Sequence, residues 1–263
     1  MIFVIASLIF VYLLGFLLLV LAQERFLFLD EELDQDHQFS YDFPFEEFTL
    51  DGVDGGRLNA LRFTVEEPDG VILYFHGNKG NLTRWGDIVS PFTKYQYDVV
   101  VMDYRGFGKS TGLRNQKNLL SDAELFYQRA IDLYGEEKIT LYGRSMGTGI
   151  ASYLAGLHRP KRLILETPYY SLAKAAQRFY PIYPSKFALR YNFKSFEYLQ
   201  KADCPITIFH GTEDTVVPYE QGVSLYNSLN EKERNLVTIE GGEHRDLAKF
   251  PLYWDLLEKA LKD

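Results

Sequence analysis

The 263-residue chain has a single cysteine, Cys204, so it can form no internal disulfide, and such cysteine poverty suits reducing and oxidising surroundings alike. It also lacks a basic surplus: 28 Lys and Arg face 36 Asp and Glu, a formal net charge of -8. Nucleic acid is therefore not an expected partner, because no basic stripe is available to neutralise phosphates. Charge is missing altogether from Ile2 to Ala22, an apolar run interrupted only by Ser7, Tyr12 and Gly15. No Lys or Arg precedes the run and no cysteine stands at its end, which argues against a secretory signal and a lipidated terminus. Val20-Leu21-Ala22 offers small residues for cleavage, but the run is too long for a signal core, so an uncleaved membrane anchor is expected.

As a helix this run would be about 30 Å long, matching a hydrocarbon core of about 30 Å. The flank from Gln23 to Asp36 is acidic, with Arg25 its one cation, and acidic residues do little to set topology. The side of the membrane therefore stays open. Phe26, Leu27, Phe28 and Leu29 suit the interface, and the acidic residues after them read as a linker that an anionic surface would repel. The expected organisation is an anchor over 1–22, a linker over 23–44 and one domain over 45–263. With 46% hydrophobic and 24% charged residues, the chain can bury a sizeable core.

Phe45 to Leu50 and Arg57 to Val65 alternate apolar and polar residues around a turn, the pattern of an antiparallel hairpin. Beyond it, short apolar runs alternate with helical patterns. Strands are expected at Val71 to Phe75, Asp98 to Asp103, Lys138 to Tyr142, Arg162 to Glu166, Ile206 to His210 and Leu236 to Glu240. Helices are expected before Tyr95, over Asn118 to Tyr134, after Gly147, over Gln221 to Leu229 and over Pro251 to Leu261. This alternation implies an α/β fold, a mostly parallel sheet with helices on both faces after an antiparallel start. Ligands of such sheets bind beyond the carboxyl ends of the strands.

One of those ends carries Gly143-Arg144-Ser145-Met146-Gly147, a G-x-S-x-G turn between strand and helix. A serine at its tip stands clear of the fold, and it needs a base and a carboxylate to become a nucleophile. Among the five histidines, His37 falls in the linker, His158 on the helix beyond the turn, and His76 and His210 at the ends of apolar strands. His244 follows the last strand in a Gly-rich loop, where an imidazole can reach over the strand ends. Asp214, after the preceding strand, is the favoured carboxylate because it completes the chain order Ser, Asp, His, and Glu166 is its rival. The backbone N–H groups of Met146 and Asn78 are the expected donors to an oxyanion, the first at a helix start. No cofactor or metal is called for. Asn81-Leu82-Thr83 fits a glycosylation acceptor, a coincidental match beside the Asn78 loop.

With these residues placed, the chain resembles the α/β-hydrolase superfamily over about residues 45 to 262. The likeness rests on His76-Gly77-Asn78, Asp103 to Ser110, Gly143 to Gly147 and the Asp214 and His244 loops together. Within the superfamily it looks like membrane-anchored serine hydrolases of the Bem46-like type, grouped with serine aminopeptidase-like hydrolases. That resemblance implies a Ser145, Asp214, His244 triad, an oxyanion hole from Asn78 and Met146, and an architectural role for Asp103 to Ser110. It departs from peptide-cutting relatives in its cap, an insertion of about 168–204 that is short and both aromatic and basic. Tyr169, Tyr170, Phe179 and Phe187 stand there among Lys174, Arg178, Lys186 and Arg190. Such a cover suits an acyl chain or an anionic leaving group, with Tyr169, Tyr170 and Phe179 as expected substrate contacts. The expected reaction is hydrolysis of carboxylic esters or thioesters of a small acyl substrate or acylated molecule. An amide-cleaving peptidase and a catalytically silent membrane scaffold are the alternatives.

Overall fold

The computed structural model describes residues 1–184, 188–229 and 233–262. Lys186 and Phe187 of the expected cap lie outside them. The hairpin forms from β2 (Phe45–Asp51) and β3 (Arg57–Phe63), which pair antiparallel throughout. β4 (Gly70–Phe75), β6 (Tyr97–Met102), β7 (Ile139–Arg144), β8 (Arg162–Glu166), β9 (Ile206–Gly211) and β10 (Arg234–Ile239) complete an eight-stranded sheet. Its order is β10-β9-β8-β7-β4-β6-β3-β2, parallel from β10 to β6 and antiparallel beyond.

Alternate residues of each inner strand serve opposite faces of the sheet. Val71, Leu73 and Phe75 of β4 belong to one apolar layer, with Leu119, Ala123 and Phe126 of α3 (Gln116–Tyr134) and Ile150 and Leu154 of α4 (Gly147–Leu157). Ile72 and Tyr74 belong to the other, with Trp85 and Val89 of α2 (Leu82–Val89) and Leu257 and Leu261 of the terminal helix, Pro251–Lys262. Strands covered on both sides need no alternation, which is why they appear in the sequence as continuous apolar runs.

α1 (Ile2–Leu27) is long and apolar enough, by length and composition, to cross a membrane. It extends five residues beyond the expected end, and the stretch after it is not a free spacer. β1 (Leu29–Asp30) pairs in parallel with β5 (Lys79–Gly80), and Glu32 bridges to Gly108. Phe28 is buried between Phe107 and Tyr191, and Tyr41 packs on Phe63 and hydrogen-bonds Leu82 O. The acidic stretch is held because its aromatics, which composition counts only as a minority, find pockets on the domain. Asn81 serves the local backbone, since its Oδ1 caps α2 through Thr83 N at 3.0 Å and its Nδ2 donates to Glu31 O.

Candidate active site

The turn after β7 is built by exclusion of side chains. A Cβ on Gly143 would stand 2.7 Å from Gly147 O and Thr148 Cα, and one on Gly147 would collide with Phe75 O. Only with both positions bare does α4 start directly against β4 and β7. Ser145 at the tip adopts φ 51°, a left-handed conformation that costs a residue with a side chain of order 1 kcal/mol or more. Its N–H is tied to Glu166 O at 2.9 Å, and its carbonyl accepts from Thr148 N and Oγ1. The strain is thus held by backbone and leaves the hydroxyl free.

That hydroxyl lies 2.8 Å from His244 Nε2, and His244 Nδ1 lies 2.7 Å from Asp214 Oδ2. A carboxylate can only accept, so Nδ1 carries the imidazole proton and Nε2 accepts from Oγ–H. The loop after β9 brings in Asp214 and the loop after β10 brings in His244, as expected from their places at strand ends. Asp214 is buried, which alone would raise its pKa. Hydrogen bonds from His210 and His244 and from the Val217 N–H outweigh burial and hold its carboxyl well below the usual range. Val216 N and Val217 N both donate to Oδ1, at 2.9 and 2.8 Å.

Glu166, the rival acid, is occupied elsewhere. Its carboxylate pairs with Arg144 Nε at 3.0 Å and accepts from Tyr142 and Tyr253 at 2.6 and 3.1 Å. Arg144 and Glu166 face each other across the β7–β8 register, so the turn's arginine serves this buried network beneath the serine. His76 and His210 are fully buried strand-end residues. His76 bonds Gly77 O and stacks on Trp85, while His210 Nε2 donates to Val217 O at 2.8 Å and lies 3.3 Å from Asp214 Oδ2. His158 pairs with Glu124, and His37 contacts Thr83.

Beside Ser145 is a cavity of about 340 Å³, lined mostly by apolar groups. Asn78 and Met146, the expected oxyanion donors, are on its wall, and so are Tyr169 and Phe179. Tyr169 is buried and donates to Met146 O at 3.1 Å, steadying the residue that follows the serine. Tyr170 is a correction: its ring stacks on Phe196 at 4.4 Å, outside this cavity, with Lys174 over the same ring. Three contributors were not foreseen. Val216 and Val217 come from the Asp214 loop, Arg245 follows the histidine, and Phe26 to Leu29 arrive from the end of α1. The apolar character of Phe26-Leu27-Phe28-Leu29 was the only signal in the sequence, and it fits a membrane interface equally well.

A family model described as "Serine aminopeptidase, S33" matches residues 66–196. The chain is 31% identical over 211 residues to "Uncharacterized protein R595" of Acanthamoeba polyphaga mimivirus, covering 72% of this chain and 71% of that one. The esterase Pf2001 of Pyrococcus furiosus superposes with a TM-score of 0.69 at 17% identity, over 89% of this chain and 98% of the other. The chain is an α/β-hydrolase. The hydrolase is also 32% identical over 227 residues to the lysophosphatidylserine lipase ABHD12 of Danio rerio, covering 73% of this chain. It spans 58% of that protein and 44% of the Rattus norvegicus lipase of the same name.

Proposed function

We propose that this hydrolase is a serine esterase acting on single-chain acyl lipids, through an acyl-enzyme, at a membrane that α1 crosses. The observation that carries the reading is the unbroken chain from Ser145 Oγ to His244 at 2.8 Å and on to Asp214 at 2.7 Å. Ser145 attacks the acyl carbonyl as His244 Nε2 takes its proton. The N–H groups of Asn78 and Met146 receive the developing oxyanion, where the start of α4 adds favourable dipole. Collapse breaks the acyl–oxygen bond, with His244 returning the proton to the leaving alcohol. Water, activated by the same imidazole, then releases the acid. Asp214 stays ionised throughout and holds the imidazole tautomer, consistent with its lowered pKa.

The substrate class rests on the apolar cavity and on the lipase activity named for the ABHD12 relatives. The aminopeptidase description of the family model supplies the competing reading. Among the described residues the cavity wall has Arg245 as its charged group and no carboxylate to receive a substrate amine, which favours the lipid. A fluorophosphonate probe should label the wild type and leave Ser145→Ala unlabelled. Equal labelling would remove Ser145 from the mechanism, and turnover of aminoacyl amides in preference to acyl esters would transfer the enzyme to the peptidases.

A further inference from the structure

The cap does not stop at the domain but continues down the side of α1. Tyr183 packs on Tyr12 and Phe16, with ring centroids 5.1 and 5.8 Å apart, and Tyr12 Oη donates to Ile182 O at 3.0 Å. Gly15, which interrupts the apolar run, is the bare spot against which the Tyr183 hydroxyl lies, since a Cβ there would collide with it. From Gln23 back to Tyr12 a helix rises about 16 Å. Any bilayer that α1 crosses must therefore also surround the segment Phe179 to Pro184.

That segment is chemically fit for it. Phe-Tyr-Pro-Ile-Tyr-Pro contains no charge, and Phe179 and Ile182 are 56% and 68% exposed. In hydrocarbon, backbone polar groups need internal partners. Two of the six residues are prolines without an N–H. Gln177 Nε2 donates to Tyr180 O and Pro181 O, Tyr12 satisfies Ile182 O, and Tyr183 N closes on Tyr180 O. Exposed Arg178 and Arg190 flank the segment, where long cationic side chains reach headgroups.

Between this tip and α1 runs a second, wholly apolar crevice of about 40 Å³, reaching as far as Leu19 and Leu189. It shares Phe26, Leu27, Ala176 and Tyr180 as walls with the cavity at Ser145. We propose that the cap tip, Phe179 to Pro184, inserts into the membrane leaflet beside α1, and that the crevice between them is a port through which an acyl chain passes laterally from the bilayer to Ser145. The inserted tip needs only that α1 spans a membrane; the port rests on the esterase reading.

The test uses the full chain in phosphatidylcholine vesicles. A nitroxide on Ile182→Cys, in a Cys204→Ser background, should be more accessible to dissolved oxygen than to a water-soluble nickel chelate. The same label on Val53→Cys, a 92% exposed hairpin residue, should show the reverse. Chelate access at Ile182 equal to that at Val53 would overturn the insertion. For the port, Leu19→Trp fills the outer crevice. It should slow cleavage of a vesicle-borne lysophospholipid about tenfold or more and leave a water-soluble acetate ester within about twofold. Equal loss on both esters, or no loss on either, would overturn the port. If the wild type cleaves neither ester, the esterase reading fails and takes the port with it, while the nitroxide result still decides the inserted tip.

Discussion

Of the histidine–aspartate contacts at strand ends among the described residues, those of His244 with Asp214 and His76 with Asp103 have opposite fates. His244 and Asp214 meet at 2.7 Å with the second imidazole nitrogen turned to a serine. His76 and Asp103 are both fully buried, 3.4 Å apart, with Trp85, Tyr104 and Phe107 around the imidazole. The two carboxyls differ accordingly. Burial, opposed by His76 and the Leu82 N–H, raises Asp103 above the usual range, whereas the donors around Asp214 overcome burial and lower it. Pairing a histidine with an aspartate therefore does not define a catalytic site. What distinguishes Asp214 is enough donors to keep it ionised, and what distinguishes His244 is a free nitrogen facing an alcohol.

The widest separation between the pairs should appear in turnover. Asp214→Asn should reduce kcat on an acyl ester by about 10⁴-fold through the wrong imidazole tautomer. Asp103→Ala should do the converse, lowering stability in urea by about 3 kcal/mol by stranding His76 while activity per folded molecule stays within a few-fold. Comparable loss of turnover in both would erase the distinction.

Acid titration of stability should then separate the pairs by slope. The lowered Asp214 contributes stability that is present above the unfolded carboxylate pKa of about 3.9 and is lost as pH falls towards its folded value. The raised Asp103 exerts the opposite effect, a penalty absent below about 3.9 that grows as pH rises through its folded value. Relative to wild type, Asp214→Asn should thus lose most near neutrality and least in acid, and Asp103→Asn should fare best near neutrality. Parallel curves from urea melts across pH would refute this.

The smallest effects belong to the adjacent tyrosines. Tyr169→Phe should lower kcat/KM a few-fold, about 1 kcal/mol, by releasing Met146 O, while Tyr170→Ala should leave kcat/KM unchanged and lower stability by a similar amount through the lost Phe196 stack.

Legibility followed the range of the interactions. Ser145, Asp214 and His244 could be found because each ends or follows a short apolar run, and chain order joins them without any knowledge of packing. The sheet and its antiparallel start were readable for the same reason. Arg144 had no readable partner, since its pairing with Glu166 depends on β7 and β8 being neighbours in parallel register. Tyr169 and Tyr170 follow β8 in an irregular segment, where no periodicity says which ring turns inward. The docking of the acidic stretch was hidden too, because Phe28 and Tyr41 bind surfaces assembled from distant parts of the chain.

The two-residue pairing of β1 with β5 has a practical consequence for anyone who would trim this chain. Leu29 N donates to Asn78 O at 2.8 Å, and Asn78 Nδ2 donates to Leu27 O at 3.0 Å. The last turn of α1 and the loop beside the serine are therefore stitched together from both sides. Removing α1 would unpick that seam, so the shortened protein would report on a loosened loop as well as on the loss of the helix. A detergent-solubilised full chain is the form in which rates near Ser145 can be compared with the intact geometry.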